Sequence, residues 1–275
     1  MNWYKLVFKQ NQPIRISSAK WGVINETEIF IPGWTMWGAL TKAFNVLNKK
    51  DLSNNQDLFE NITCFYPFFE KNNGHILFPQ YLNGNFMLGN KSEDEFKFDF
   101  LDTITSTAII SEHRRAKDES LHELEFLLPK SKNESEICGL YWVGLVGFNG
   151  NTHITNFLTI GLKIYVGADS RYGFGELELI EFDQANKDYL QKYQIDEEGY
   201  FSAGNNEPLV NYLEFSNNLT FEGELLLLAE FDFRQNIPKV TEARYFINVG
   251  SKIKIENIDP KNYKLKKGKF IKSGG

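Results

Sequence analysis

Residues 167–175 of this chain read Gly-Ala-Asp-Ser-Arg-Tyr-Gly-Phe-Gly. An apolar run precedes this stretch at residues 157–166, and the strand-like alternation Glu-Leu-Glu-Leu-Ile-Glu follows it at residues 176–181. Three glycines in nine residues predict a sharp turn or a close approach to another group, because glycine adopts backbone angles that other residues avoid. Arg171 and Tyr172 lie at its centre, where a guanidinium and an aromatic ring suit a ligand with phosphates and bases. A turn with a solvated Arg171 explains the same pattern.

The composition indicates a soluble, folded protein. With 275 residues, of which 42% are hydrophobic, the chain can build one large domain or two small ones. Cys64 and Cys138 do not form a metal-type cluster, so a reduced, cytoplasmic setting is the simplest interpretation. The amino terminus does not resemble a signal peptide, and no apolar run reaches the roughly 18 to 20 residues that a membrane span needs. We therefore expect a cytoplasmic protein without membrane contact.

Charge is unevenly distributed along the chain. The net charge of −6 argues against a stand-alone nucleic-acid binder held by bulk charge. Residues 251–275, however, contain eight lysines and only two acidic residues. Such a tail is either an arm that contacts phosphates or an edge strand that its lysines protect from pairing with other chains.

The hydrophobic pattern predicts an α+β fold. Residues 3–16 and 140–148 are typical of strands, whereas residues 34–47 have apolar side chains at helical spacing. Residues 151–165 predict a second helix, and residues 175–182 predict a last strand. Without the intervening insertions, the order is strand, helix, strands, helix, glycine-rich loop and strand. This order fits a ferredoxin-like (RRM-like) sandwich, the fold of many RNA-recognition modules.

Two units are predicted along the chain. Residues 1–184 form the ferredoxin-like domain with its glycine-rich loop, and residues 185–275 form a smaller, strand-rich second domain or extension with the basic tail. Within the first unit we expect a hairpin near Gly84. The polar segment 183–206 is interpreted as a linker or a surface helix.

Two further segments are candidates for ligand contact. Residues 31–40 read Ile-Pro-Gly-Trp-Thr-Met-Trp-Gly-Ala-Leu and predict a helix start, whose free N–H groups favour an anion. Close packing of the helix explains the same residues. Residues 107–125 carry a cluster of basic side chains that would contact phosphates on an exposed hairpin, or would simply be solvated in a loop.

Taken together, the three segments resemble the RAMP (repeat-associated mysterious protein) superfamily of CRISPR effector complexes. That family has an Ile-Pro-Gly-Ser-type helix start followed by Gly-Ala-Leu, and this chain has Trp34 where serine is usual. It has a mid-chain Thr-Ala-Ile…Arg…Ala…Leu…Glu segment, matched by residues 107–125, and a loop ending in Gly-Tyr/Phe-Gly, matched by residues 167–175. The resemblance covers about residues 1–182 and implies a ferredoxin-like subunit that binds CRISPR RNA (crRNA) in a multi-protein complex.

The resemblance also bears on the branch of the family. Subunits that cut target RNA have an aspartate in the loop before the helix start, whereas residues 17–28 here include Asn25, Glu26 and Glu28 but no aspartate. The chain continues well beyond the glycine-rich loop, and residues 249–253 resemble the late Gly-Ser segment of subunits that cap the crRNA 5′ handle. The crRNA-processing endonucleases of the family carry their loop near the C-terminus, unlike this chain. These features favour the cap branch.

Catalytic signals are weak in this sequence. None of the four histidines pairs with a second metal-ligand type at standard spacing, and neither a nucleophile elbow nor a Walker loop is present. His113 beside Arg114 could act as a base in attack by an RNA 2′-hydroxyl, although a phosphate contact is the more frequent role. Glu26 or Glu28 could hold a metal, but metal geometry is exacting. We expect no catalytic residue, no metal and no cofactor.

We therefore expect a non-catalytic subunit of a type III-like CRISPR complex that binds the crRNA 5′ handle and neighbouring subunits, and contacts target RNA only indirectly. One alternative is a backbone subunit that cleaves target RNA with a metal near Glu26 and Glu28; another is a protein scaffold without RNA contact. The glycine-rich loop would hold the RNA backbone through main-chain N–H groups and Arg171. The predicted RNA-binding residues are Lys20, Trp21, Gly33, Trp34, Trp37, His113, Arg114, Arg115, Lys117, Gly167, Ser170, Arg171, Tyr172, Gly173 and Gly175.

Overall fold

The fold is mixed α/β and is dominated by strands arranged in several sheets. It is described by a computed structural model that covers residues 1–51, 54–69, 75–133, 138–150, 152–232, 236–254 and 259–273. None of its helices in these ranges is long and apolar enough to cross a membrane. The α-helices are α1 (Gly33–Leu47), α2 (Glu93–Phe100), α3 (Thr152–Phe157) and α4 (Lys187–Lys192).

Strands make up the larger part of the regular secondary structure in the described residues. They are, in chain order, β1 (Asn2–Gln10), β2 (Ser17–Trp21), β3 (Ile24–Thr27), β4 (Tyr66–Phe69), β5 (Pro79–Leu82), β6 (Asn85–Leu88), β7 (Lys91–Ser92), β8 (Leu101–Ser106), β9 (Ile109–Ile110), β10 (Arg115–Ala116), β11 (His122–Leu127), β12 (Leu140–Phe148), β13 (Lys163–Tyr165), β14 (Glu176–Gln184), β15 (Tyr212–Glu214), β16 (Thr220–Glu222), β17 (Leu225–Asp232), β18 (Lys239–Ile247), β19 (Lys252–Lys254), β20 (Tyr263–Lys266) and β21 (Lys269–Lys272).

The central sheet has the strand order β13-β14-β1-β12-β4, and all its pairings are antiparallel. Every residue of β12 is buried, as its continuous apolar sequence predicts for a strand covered on both faces. Helix α1 contributes Met36, Leu40 and Phe44 to the core at helical spacing. The Phe44 ring lies 5.2 Å from that of Phe157, so α1 and α3 meet in the same core.

The segment between β1 and α1 and the segment between β4 and β12 contribute strands to a separate sheet of order β2-β3-β11-β8. Strand β11 pairs in parallel with β3, where Glu123 lies opposite Ile24, and antiparallel with β8. The small hairpin β9–β10 lies between β8 and β11 in the chain. We call these six strands the thumb. The prediction of a loop at residues 17–28 is wrong for most of its length, because pairing with the distant β11 orders the segment as two strands.

The C-terminal unit contains the sheet β17-β18-β15-β21-β20 and confirms the strand-rich prediction. Segment 183–206 is not a free linker: Asn186 caps α4 by accepting the N–H of Tyr189, and Leu190 and Tyr193 are buried. One continuous hydrophobic core joins this unit to the central sheet.

Strand β20 is last in the strand order of its sheet, but its outer side is paired, since the Phe201 N–H donates to the Tyr263 carbonyl and the Leu265 N–H donates to the Gly199 carbonyl, each at 2.9 Å. This part of the basic tail is therefore not the open, lysine-protected edge strand that one alternative predicts.

The second helix is shorter than predicted. Helix α3 ends at Phe157, the chain turns at Gly161 with φ +87°, and residues 163–165 then pair with β14 as β13. Residue 151, the first of the predicted helix, lies outside the described residues. The helical prediction fails here because the pairing of Lys163–Tyr165 with β14 outweighs local helical spacing.

The structure contains the hairpin predicted near Gly84 and a helix that was not predicted. Hairpin β5–β6 turns at Asn83 and Gly84, both with positive φ, as the sequence predicts. Helix α2 was missed, although its start has a capping box that can be found in the sequence. The Ser92 hydroxyl accepts the Glu95 N–H, and the Glu95 carboxylate accepts the Ser92 N–H.

Candidate nucleic-acid interface

The glycine-rich loop is held at both ends by residues 13–15. The Ala168 N–H donates to the Arg15 carbonyl at 2.8 Å, and the Gly175 N–H donates to the Pro13 carbonyl at 2.7 Å. Gly167 has φ +74°, and any side chain there would overlap the Arg15 carbonyl oxygen. Glycine is therefore required at this position for both backbone conformation and close packing.

Arg15 is a residue that the sequence analysis missed. Its guanidinium donates to the Asp169 carboxylate at 2.8 Å, and both side chains are largely buried. Asp169 itself has φ +60°. Arg15 therefore holds the loop in two ways, through its main-chain carbonyl, which accepts the Ala168 N–H, and through its side chain, which donates to Asp169. Sequence gives no signal for it, because the two residues are separated by more than half of the chain.

The middle of the loop is a single helical turn that carries the exposed side chains of Arg171 and Tyr172. Ser170–Tyr172 form one turn of 3₁₀ helix, and the N–H groups of Tyr172 and Gly173 donate to the carbonyls of Asp169 and Ser170. Together with those of Ala168 and Gly175, these N–H groups are used within the protein. The Tyr172 side chain is 84% exposed, and Arg171 is also exposed. These two side chains are available to a ligand, and contact through the other main-chain N–H groups of the loop stays a prediction.

The same segment connects the loop to the base of the thumb. Ile14, between the two residues that hold the loop, pairs with Leu127 at the end of β11 through hydrogen bonds of 2.9 and 2.8 Å. The Phe174 ring of the loop lies 5.2 Å from the Phe126 ring of β11. Loop and thumb therefore share one base.

The thumb carries the predicted basic and aromatic residues in exposed positions. Lys20 and Trp21 lie on β2, and the Trp21 side chain is 67% exposed. The remaining four lie on or beside the β9–β10 hairpin, whose turn includes Arg114 at φ +51°. The Lys117 N–H closes the hairpin by donating to the Ala108 carbonyl at 2.8 Å. The exposed thumb residues are Lys20, Trp21, His113, Arg114, Arg115 and Lys117.

The start of α1 packs against the C-terminal unit. Gly33 is buried, and a side chain there would overlap the backbone nitrogen of Gly268 in the β20–β21 turn. Trp34 lies with its ring 5.0 Å from that of Tyr212, and Lys267 lies 3.7 Å above the centroid of the Trp37 ring. The α1 start and its tryptophans thus contact the C-terminal unit; Gly33 is not accessible to RNA, whereas RNA contact of the half-buried Trp34 and Trp37 stays a prediction.

Glu28 lies in an acidic pocket of about 190 Å³ between the thumb, α2 and the C-terminal unit. Burial and the nearby Glu93 raise the pKa of its carboxyl to about 7, and Lys97 partly opposes the effect. Lys97 also donates to Glu93 at 2.7 Å. Among the described residues, no three His, Cys, Asp or Glu side chains are grouped so that they could hold a metal ion.

Comparison with known proteins gives a likeness of fold. No protein-family model matches the sequence, and no curated protein matches it. A chain in the cryo-EM structure of the Type III-B Cmr-beta bound to cognate target RNA superposes with a TM-score of 0.58. A chain in the cryo-EM structure of the same assembly bound to cognate target RNA and AMPPnP, state 1, superposes with a TM-score of 0.60. Each match has 14% sequence identity and covers 91% of this chain and 86% of the other.

Proposed function

We propose that this chain is a non-catalytic, crRNA-binding subunit of a type III-like CRISPR ribonucleoprotein in antiviral defence. The observation that carries the proposal is the exposed Arg171–Tyr172 pair, on a loop that shares its base at residues 13–15 and β11 with the basic and aromatic thumb. Arginine contacts phosphates, and an exposed tyrosine stacks on unpaired bases. The likeness in fold to chains of Cmr-beta complexes bound to target RNA supports the same assignment.

The central topology supports placing this chain among ferredoxin-like subunits. Strands β1, β4, β12 and β14, with α1 and α3, follow the order strand, helix, strand, strand, helix, strand. The spatial order β14-β1-β12-β4 is that of a ferredoxin-like sandwich, to which the thumb is added by insertion. On this basis we propose residues 1–184 as the RAMP domain and residues 185–275 as the smaller second unit.

We assign the chain to the branch that caps the crRNA 5′ handle. The support is the large C-terminal unit, which follows the glycine-rich loop and packs against α1 through Lys267 and Gly268. The basic residues of the loop and thumb would contact RNA, and the acidic remainder would face the basic surfaces of neighbouring subunits. Localisation in the cytoplasm follows from this role.

The test compares RNA retention by the assembled complex containing wild-type or Arg171→Ala/Tyr172→Ala chain. Loss of one stacked base and one phosphate contact should weaken retention by roughly tenfold or more, and should lower the salt dependence of binding. Lys187→Ala, which removes an exposed charge from α4, is the control and should have little effect. Unchanged retention in the double variant would show that the loop assignment is wrong.

Crosslink positions on the RNA decide the branch. Crosslinks from Tyr172 to a repeat-derived 5′ end support the cap role, whereas crosslinks to spacer nucleotides from several copies support a backbone subunit. Recovery of the intact complex without RNA would favour the scaffold alternative.

One observation favours the cleaving alternative, namely the acidic pocket that places Glu26 and Glu28 near Glu93. Cleavage of target RNA at regular intervals that requires a divalent metal and is lost in Glu28→Gln would support it. The same variant with unchanged RNA cleavage by the complex would exclude a role for this pocket.

A further inference from the structure

The thumb sheet has two faces, and the predicted RNA contacts Lys20 and Trp21 lie on different ones. In the β2–β3 hairpin, Lys20 lies opposite Asn25, and Trp21 lies opposite Ile24. Successive residues of a strand point to opposite faces of the sheet, so the Lys20 and Trp21 side chains leave the thumb on opposite sides. A ligand that lies on one face therefore contacts only one of them.

The face that carries Lys20 is the one that contacts the glycine-rich loop. Leu124 of β11 lies beside Asn25, and Phe126 follows two residues later on the same face. The Phe126 ring lies 5.2 Å from the ring of Phe174 in the loop. The opposite face of the thumb is therefore turned away from that contact.

This opposite face combines exposed apolar side chains with carboxylates. Ile24 lies opposite Glu123 of β11. Glu26 and Glu125 follow two residues further along their strands and so lie on the same face. Trp21 is 67% exposed, and Ile24 is 37% exposed. We call Trp21, Ile24, Glu26, Glu123 and Glu125 the acidic thumb face.

The carboxylates of the acidic thumb face lack a cation of their own. In the described part of the chain, none of the three forms an ion pair. Lys97 of α2 attracts Glu26 and Glu125, but it is bonded to Glu93 at 2.7 Å. Glu123, nearer the tip, accepts a neutral threonine hydroxyl at 3.3 Å, which leaves its negative charge uncompensated. Unpaired negative charge therefore lies beside the exposed apolar side chains.

We propose that the acidic thumb face is a docking surface for a basic segment of another protein, with an arginine side chain placed over Ile24. Trp21 and Glu123 flank Ile24 on the two neighbouring strands. The aliphatic stem of arginine covers apolar surface, while its planar guanidinium stacks on an aromatic ring or pairs with a carboxylate. Glu26 and Glu125 continue toward the base of the thumb, where further basic residues of the segment would pair with them.

This proposal goes beyond the proposed function, since it gives Trp21 a protein contact in place of the predicted RNA contact. RNA binding depends on cations that contact phosphates, whereas phosphates on this face would meet uncompensated carboxylates. A second copy of the chain carries the same net charge of −6, which opposes association of two copies. A basic segment of a different protein is therefore the occupant that the charge of this face favours.

Photocrosslinking in the assembled complex tests the docking surface, and it depends on the proposed function only for that complex. Trp21 is replaced by the photoreactive p-benzoylphenylalanine in one variant, and Lys20, its neighbour on the opposite face, is replaced in another. We expect residue 21 to crosslink to a peptide of a different protein that contains arginine or lysine, identified by mass spectrometry, and residue 20 to crosslink to RNA.

The two sites separate the two proposals. A crosslink from residue 21 to RNA, to a second copy, to a peptide without basic residues, or to nothing would overturn the docking proposal. Absence of RNA at residue 20 alone would instead count against RNA contact by the thumb, which belongs to the proposed function.

A charge reversal gives a second readout. Glu123→Lys should lower incorporation of the chain into the complex by at least tenfold, because it places a cation where the basic segment docks. Glu198→Lys, at an exposed carboxyl outside the thumb, is the matched control and should assemble normally. Thermal unfolding of the isolated variants shows whether they fold.

A milder variant keeps this readout if Glu123→Lys unfolds. Glu123→Gln retains an acceptor for the threonine hydroxyl and removes the charge, and it should lower incorporation several-fold. Normal incorporation of a folded variant at Glu123 would overturn the proposal.

Discussion

Two glycine-containing turns of this chain have similar local chemistry and opposite surroundings. The loop at 167–175 and the β20–β21 turn at Lys267 and Gly268 both use positive φ, and both carry a cation. In the first, Arg171 and Tyr172 are exposed to solvent. In the second, the N–H groups of Lys267 and Gly268 donate to the carbonyls of Glu60 and Ile62, each at 2.6 Å, and Lys267 covers the Trp37 ring.

The difference shows that a glycine turn with a cation can either close the chain on itself or hold side chains where a ligand can reach them. The β20–β21 turn closes the chain on itself, since its backbone lies against Gly33 and burial lowers the pKa of Lys267. The loop at 167–175 is also held by backbone hydrogen bonds, but only at its ends, so its central side chains remain available to a ligand. Close backbone approach alone therefore does not identify a binding site.

The largest effect should come from crowding the closed turn. Gly268→Ala places a Cβ about 2.8 Å from the Cα of Gly33 and 3.0 Å from the Cys64 sulfur, at φ +76°. We expect a loss of about 2–4 kcal/mol in the free energy of unfolding, from combined overlap and strain. Gly173→Ala is the control, because it has φ +86° but open space around it, and should cost about 1 kcal/mol. Equal losses in urea unfolding would mean that the C-terminal turn is not closely packed.

The acidic pocket beside the closed region should make stability depend on pH. Because the pKa of Glu28 is raised from 4.5 to about 7, the folded state binds more protons than the unfolded state between these values. The free energy of unfolding therefore falls as pH rises through this window. Glu28→Gln removes the ionisable group and should stabilise the protein at pH 8 by up to about 3 kcal/mol, with little change at pH 5.

The control for this prediction is Glu198→Gln, at an exposed carboxyl, which should change stability by less than about 0.5 kcal/mol at either pH. Chemical denaturation at both pH values measures the difference. A Glu28→Gln variant that is destabilised at pH 8 would show that the ionised carboxylate contributes a favourable contact, such as a bound cation.

The smallest effects should separate the two cations of the compared turns. Lys267→Ala should cost about 0.5–2 kcal/mol of stability through the lost contact with Trp37, and should leave RNA retention unchanged. Arg171→Ala should do the opposite, with stability changed by less than about 0.5 kcal/mol and RNA retention lowered several-fold. Paired thermal melts and retention assays measure both quantities. A Lys267→Ala variant that loses RNA but not stability would reverse the assignment of the two turns.

Local features could be read from the sequence because they depend on neighbouring residues. Apolar spacing predicts α1, the continuous apolar run predicts the buried β12, and Gly84 predicts the β5–β6 hairpin. The glycine-rich loop with its exposed Arg171 and Tyr172 was also predicted from sequence alone. Its expected use of main-chain N–H groups stays a prediction for the rest of the loop, because those of Ala168, Tyr172, Gly173 and Gly175 donate to carbonyls within the protein.

Other features depend on residues far apart in the chain. Residues 17–28 become strands only because β11 pairs with β3, and the predicted helix at 151–165 ends early because residues 163–165 pair with β14. The partnership of Arg15 with Asp169 had no sequence signal at all.

The sequence by itself determined where the chain turns, which segments alternate or follow helical spacing, and which cations and rings are available. Only the tertiary structure decided which of these remain exposed: Arg171 and the thumb do, whereas Gly33 and Lys267 are used to close the C-terminal unit on α1. Backbone preference is set by a few neighbouring residues, whereas burial, pairing and pKa depend on groups brought together from distant parts of the chain.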